Sequence, residues 1–168
     1  MTKPSNDEPI EVASPACSMH TADDVYMGYA GPDELIAFLN ELLEAETAGA
    51  RVTLMSAREA GTGEIADLMQ AVHHDEARWC AMLARNLKAR GATPSSKVGA
   101  FYDKAMAIGD LSERITFLNR GQGWVVRKLR EMLPRVRDEA LRRDLDDMLQ
   151  SHVGNINLAN DVAAHSSR

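Results

Sequence analysis

The sequence predicts an all-α protein built as a four-helix bundle, and three observations predict it. Apolar residues recur at alternating three- and four-residue steps along four long stretches, the spacing that lays one stripe along a helix. Between those stretches stand the breakers Gly61-Thr62-Gly63, Gly91 and Pro134. Aromatic residues make up only 5% of a chain rich in Ala, Leu, Met, Arg and Glu, and no stretch alternates at the two-residue period of a strand.

Each element follows in order. Pro4, Pro9 and Pro15 punctuate residues 1–30, which read as a flexible or loosely docked N-terminal tail ahead of a bundle over 31–168. In that tail Cys17 and His20, with Met27 further on, are donors suited to a soft metal such as copper. The first helix opens at Pro32-Asp33-Glu34, where proline fits the first turn and the acids face the positive end of the helix dipole. It runs to about Ala60. The second spans about Glu64 to Arg90 and stops at Gly91. A long connection, 91–110, carries a short helix near 98–107. Asp110-Leu111-Ser112-Glu113 then has the form of a capping box and opens the third long helix, which Pro134 ends. The fourth covers about 138–163.

Charge and composition exclude several functions. At 168 residues the chain is one ordinary domain with room for a core, and its net charge of −6 argues against nucleic acid or an anionic membrane as partner. Two cysteines make no disulfide framework. There is no 18-residue apolar run and no apolar signal segment at the N-terminus, so a cytoplasmic protein is expected. No phosphate loop, Ser-His-Asp order or CxxC pair occurs. Arg127, Lys128, Arg130, Arg135, Arg137, Arg142 and Arg143 surround the second turn and read as bases that complement a helix end and pair with nearby acids.

The informative stretch is AVHHDEARW, residues 71–79. The inward stripe of the second helix runs Ile65, Met69, Val72, Glu76, Cys80, Leu83, Leu87, so Glu76 stands where a core residue belongs. His73 lies beside that stripe, while His74 and Asp75 turn away. The other seams are interrupted in the same way. The first runs Leu35, Leu39, Leu42, Glu46, Gly49, Thr53, with Glu44 selected instead in a slightly different register. The third runs Leu111, Ile115, Leu118, Gln122, Val125, Leu129, Met132. The fourth runs Leu141, Leu145, Met148, His152, Asn155, Ala159, Val162.

Spacing adds a second regularity. Glu46 and Glu76 are 30 residues apart, as are Gln122 and His152, centred on Gly61 and Arg137 in the two turns. Each group therefore lies about 22 Å from its turn at the helical rise, near mid-height of helices roughly 40 Å long. The sequence predicts one polar layer across the bundle centre. The 91–110 connection is too long for a turn between neighbours and suits a crossover joining two antiparallel hairpins.

Two helical hairpins, a long crossover and a mid-bundle layer of Glu and His resemble the ferritin-like superfamily, which includes bacterioferritins and rubrerythrins, over residues 33–163. The stretch LNELLEAETAGARV is similar to the first helix of small bacterial ferritin-like proteins of unknown function. In metal-binding members two helices give one Glu each and the other two give Glu-x-x-His, holding two metal ions. Glu46, Glu76 and His152 match three of those ligands. Trp79 and Leu149 stand where a histidine and a glutamate are expected, and Gln122, or Asn119 in a shifted register, where another glutamate is.

Two readings stay open. In one, Glu46, Glu76 and His152 hold a single iron, manganese or zinc ion, with Gln122 or His73 as a further ligand. Trp79 and Leu149 then fill the second metal's space, Gly49, Gly121 and Gly123 leave room for close helix approach or a ligand, and Asn155 lines the site. Dioxygen or peroxide activation is the reaction class the resemblance implies. In the other, the layer is metal-free, fixes helix register, and belongs to a non-catalytic partner-binding or oligomeric module. The resemblance also implies a homodimer through the first two helices.

Overall fold

A computed structural model describes residues 25–166 and is all-helical, with no strand among them. The copper-suited Cys17 and His20, and most of the expected tail, lie outside the described residues. Five helices appear in chain order: α1 (Pro32–Ala60), α2 (Glu64–Ala89), the short α3 (Phe101–Met106), α4 (Leu111–Met132) and α5 (Glu139–Ser166), with a 3-10 turn over Leu133–Arg135 between the last two.

The helix ends obey local chemistry. Gly61, at φ 72°, closes α1 in a conformation that costs a residue with a Cβ. Asp110 caps α4, its Oδ1 accepting from the Glu113 N–H at 2.9 Å. Asp138 does the same for α5, accepting from the N–H groups of Ala140 and Leu141. The short helix expected near 98–107 narrows to Phe101–Met106, and the chain ahead of it is tied to α1 by Asn40 and Glu44, which bind Ser95.

Side chains show which ends meet. Glu59, at the end of α1, pairs with Arg114 at the start of α4, and Glu34, at the start of α1, pairs with Arg135 just after α4. Lys128 of α4 reaches Glu41 of α1 between them. Thus α4 runs opposite to α1. Arg90, after α2, binds Asp138 before α5. Around the bundle α1 contacts α2 and α4, and α5 contacts α2 and α4, which leaves α1–α5 and α2–α4 as the diagonals. The 91–110 segment therefore passes from the Arg90 end to the Glu59 end. Two bases of the second turn, Lys128 and Arg135, reach acids on α1 and not their sequence neighbours, whereas Arg142 pairs with nearby Glu139.

The core is divided. One apolar cluster joins Leu39, Leu42, Trp79, Leu83, Leu129 and Leu145; the other joins Val52, Met69, Val72, Leu118, Ala159 and Val162. Between them, one from each long helix, lie Glu46, Glu76, Gln122 and His152. Burial of the two apolar clusters, at roughly 1.5–3 kcal/mol per large side chain, supplies the drive that holds these polar groups out of water.

Candidate functional site: a sealed polar layer beneath a cleft

The four interrupting side chains are all buried: Glu46 and Glu76 are 2% exposed, His152 1% and Gln122 4%. They meet as two pairs, each across a diagonal of the bundle. His152 Nε2 of α5 lies 3.1 Å from Glu46 Oε1 of α1, and Gln122 Nε2 of α4 donates to Glu76 Oε1 of α2 at 2.6 Å.

Proton positions follow from the partners. His152 Nδ1 is 2.9 Å from the Met148 carbonyl, which can only accept, so Nδ1 carries a proton. The proton between Nε2 and Glu46 Oε1 is then shared by an imidazolium and a carboxylate, or by an imidazole and a carboxylic acid. Burial works against the imidazolium, but the Glu46 carboxylate and the hydrogen bonds to Glu46 and Met148 outweigh it, and the His152 pKa is raised.

Glu76 is the opposite case. Burial, followed by repulsion from Glu46, pushes its pKa well above the ordinary carboxylate range, against the hydrogen bonds of Thr53 and Gln122. Thr53 Oγ1 lies 3.2 Å from Glu76 Oε2 and 2.9 Å from Gly49 O. A hydroxyl has one proton, which Thr53 donates to Glu76 Oε2 or to Gly49 O. A hydrogen-bonded chain results, from Gln122 through Glu76 and Thr53 to the α1 backbone. Gly49 makes it possible, since a Cβ there would lie 2.5 Å from Glu76 Oε1 and 2.8 Å from its carboxyl carbon.

Glu46, not Glu44, faces the core; Glu44 is half-buried and accepts from the Ser95 hydroxyl at 2.6 Å. His73 does not join the layer, its Nδ1 donating to the Ala50 carbonyl at 2.8 Å. Trp79 and Leu149 are packed in the apolar cluster. Trp79, not Cys80, takes the deep seam position, because the helix turns slightly from the ideal wheel. Cys80 is half-buried against Thr47, with burial pushing its thiol up to about 11. Asn155 belongs to a second network, donating to Asp75 Oδ2 at 3.2 Å. There Ser151 Oγ also donates to Asp75 and accepts from Trp79 Nε1. Asp75 thus turns toward α5 and not to solvent. A Cβ on Gly121 would lie 2.8 Å from the Phe101 ring, whereas one on Gly123 would meet only the end of Arg127, at 3.8 Å.

Two buried atoms of the layer have no hydrogen-bond partner: Glu46 Oε2 and Gln122 Oε1. Both belong to residues at the floor of a cleft of about 370 Å³ between α1, α4 and residues 99–101. Glu76 and Gly49 share that floor; Ala45, Leu118, Val125 and Phe101 supply apolar wall, and Glu41 and Glu44 border it.

The donor set does not fit a two-metal centre. Trp79 and Leu149, at the positions where the resemblance implies ligands, are packed in the apolar cluster, and Gln122 turns its N–H to Glu76. Among the described residues no three His, Cys, Asp or Glu side chains gather as a metal-holding group. Nor is any helix among them long and apolar enough to cross a membrane.

Asp75 and Ser151 are the polar participants that seam counting does not single out; Thr53 stands on the first seam, but counting does not show that it bonds Glu76. Asp75 with Trp79, and Ser151 with Asn155, are spaced four apart on facing helices, a signal available in the sequence. No curated protein and no solved structure gives a significant match to this chain. One family model does, over residues 33–162, which takes in all four long helices and every residue of the polar layer. The chain belongs to the family described as a domain of unknown function, DUF6306.

Proposed function

We propose that this protein is a ferritin-like bundle, two antiparallel hairpins joined by a crossover, that binds a small molecule in the cleft above a metal-free, proton-sharing polar layer. The end-to-end pairing of Glu59 with Arg114 and Glu34 with Arg135 supports the topology. One observation carries the function: an apolar cleft of about 370 Å³ has at its floor two residues with buried, unpartnered acceptors. A cleft of this size and lining, with few convergent polar groups and a carboxyl of perturbed pKa, is what small-ligand sites share. Each carboxyl of the layer already has one oxygen bonded across a diagonal.

The test is a panel of small neutral and charged amphiphiles, screened by NMR on the full chain. Trp124 borders the cleft, and Trp79 does not. Ligands are expected to move the Trp124 indole and Gln122 amide signals and to spare the Trp79 indole. The Ala45→Leu variant, which narrows the cleft, should abolish those shifts. A panel without any such shift overturns the reading.

A second reading rests on the Glu46–His152 pair. With Nδ1 held by Met148, His152 presents Nε2, the nitrogen a metal would take, and Glu46 Oε2 has no other partner. Two ligands of one ion at 2.0–2.2 Å stand roughly 3 Å apart, near the 3.1 Å found here. This reading makes the layer a site for one iron, manganese or zinc ion, with Glu76 swinging in as third ligand. Metal content per chain distinguishes it.

A further inference from the structure

The chemistry of the cleft selects among ligands, on the reading that it binds one. All its ionisable lining residues are acids: Glu41, Glu44, Glu46 and Glu76. Lys128 neutralises Glu41 from outside, at 2.9 Å. Glu44 meets only the Ser95 hydroxyl among the described residues. The two unpartnered buried atoms on the floor, Glu46 Oε2 and Gln122 Oε1, are both acceptors. A buried acceptor left without a donor loses its hydration for nothing in return, so the missing partner is a donor. The volume far exceeds one ion, and the wall between Ala45, Leu118, Val125 and Phe101 is apolar. A bound molecule therefore needs N–H donors at one end, a positive charge to balance Glu44, the lining carboxylate that meets no base, and an apolar body behind it.

We propose that the cleft takes a primary ammonium ion carrying an alkyl or arylalkyl body, its nitrogen set toward Glu46 and Gln122 and its body along Leu118, Val125 and Phe101. The unpartnered oxygens are sealed from solvent. Binding accordingly includes a small turn of the Gln122 side chain that brings its oxygen to the ammonium. The two acceptors on offer can each take an N–H of one ammonium, which a hydroxyl with its single proton does not match. Glu44 at the border adds attraction without contact, and it is the part of the site most weakened by salt.

The test is calorimetric titration of the full chain with phenethylammonium chloride and with 2-phenylethanol, a neutral molecule of the same shape, near pH 7. The ammonium is expected to bind one per chain and at least tenfold more tightly than the alcohol. Glu46→Gln should weaken ammonium binding at least tenfold, and Ala45→Leu should weaken both probes. If Glu46→Gln does not fold, Glu44→Gln, at a half-buried border position, should still weaken the ammonium severalfold and leave the alcohol unchanged. Equal binding of the two probes, lost in Ala45→Leu, would overturn the ammonium assignment and leave the cleft a ligand site. Ammonium binding that survives both Glu→Gln changes would overturn it as well. Binding of neither probe would also overturn it, and the neutral members of the NMR panel then decide separately whether the cleft binds anything.

Discussion

Gly49 of α1 and the Glu76 carboxyl of α2 occupy one space: a Cβ on the glycine would lie 2.5–2.9 Å from all three carboxyl heavy atoms of Glu76. The missing methyl group is what lets a carboxyl sit inside the seam between two tightly packed helices. Gly49→Ala is expected to destabilise the fold by about 1–3 kcal/mol, the usual range for an overfilled core. Urea unfolding gives the value. In a Glu76→Ala background the same change should cost less, and equal costs in both backgrounds would show that the contact does not matter.

The layer also sets how stability depends on pH. The Glu76 pKa is raised in the folded state, so between the ordinary carboxylate value of 4.5 and its raised value the native protein holds more protons than the unfolded chain. Stability therefore falls as pH rises through that window. The raised His152 pKa acts in the same direction: its contribution is full below 6.5 and is lost as pH rises through the folded value. Glu76→Gln should flatten the decline that begins near 4.5 and keep the later one. Urea midpoints measured from pH 4.5 to 9 check this, and an unchanged profile would refute it.

Glu46 depends on His152 for its single hydrogen bond. His152→Leu strips that partner from a buried carboxyl and should cost about 3–5 kcal/mol. Adding Glu46→Leu should recover most of the loss, because a buried pair replaced by apolar groups is often neutral. A double variant no more stable than His152→Leu would contradict the pairing.

Arg114 does comparable work at the Glu59 end of the bundle. Buried at the start of α4, it gives two hydrogen bonds to the Ile108 carbonyl and pairs with Glu59. Arg114→Met should cost about 1–3 kcal/mol by leaving that carbonyl unsatisfied. Because Glu59 is exposed, Glu59→Gln should cost far less, within about 1 kcal/mol. Thermal unfolding of the two variants side by side measures the difference.

How much of this was legible in the sequence differs between seam and site. Helical periodicity alone located Glu46, Glu76, Gln122 and His152 in one layer, because burial of a stripe and equal distance from a turn are one-dimensional properties. Pairing is not. Whether Glu46 meets Glu76 on the neighbouring helix or His152 across the diagonal depends on how four helices close into a ring, which no single stripe records. The wheel also misjudged Asp75 and Cys80, both at the edge of their stripe, where a small rotation of α2 decides between core, neighbour and solvent. The cleft was hidden for another reason. Residues 99–101 form one of its walls, and a connection without periodicity does not announce where it will lie against α1 and α4.

Metal content per chain tests the central claim most directly, that the layer completes itself with protons and not with a metal ion. The untagged chain and its Glu46→Gln variant would be incubated anaerobically with Fe²⁺, Mn²⁺ and Zn²⁺, desalted and analysed by plasma mass spectrometry. The proposal predicts no stoichiometric metal and no difference between the two proteins. About one ion per chain in the unmodified protein, lost in Glu46→Gln, would contradict it and establish the single-metal site.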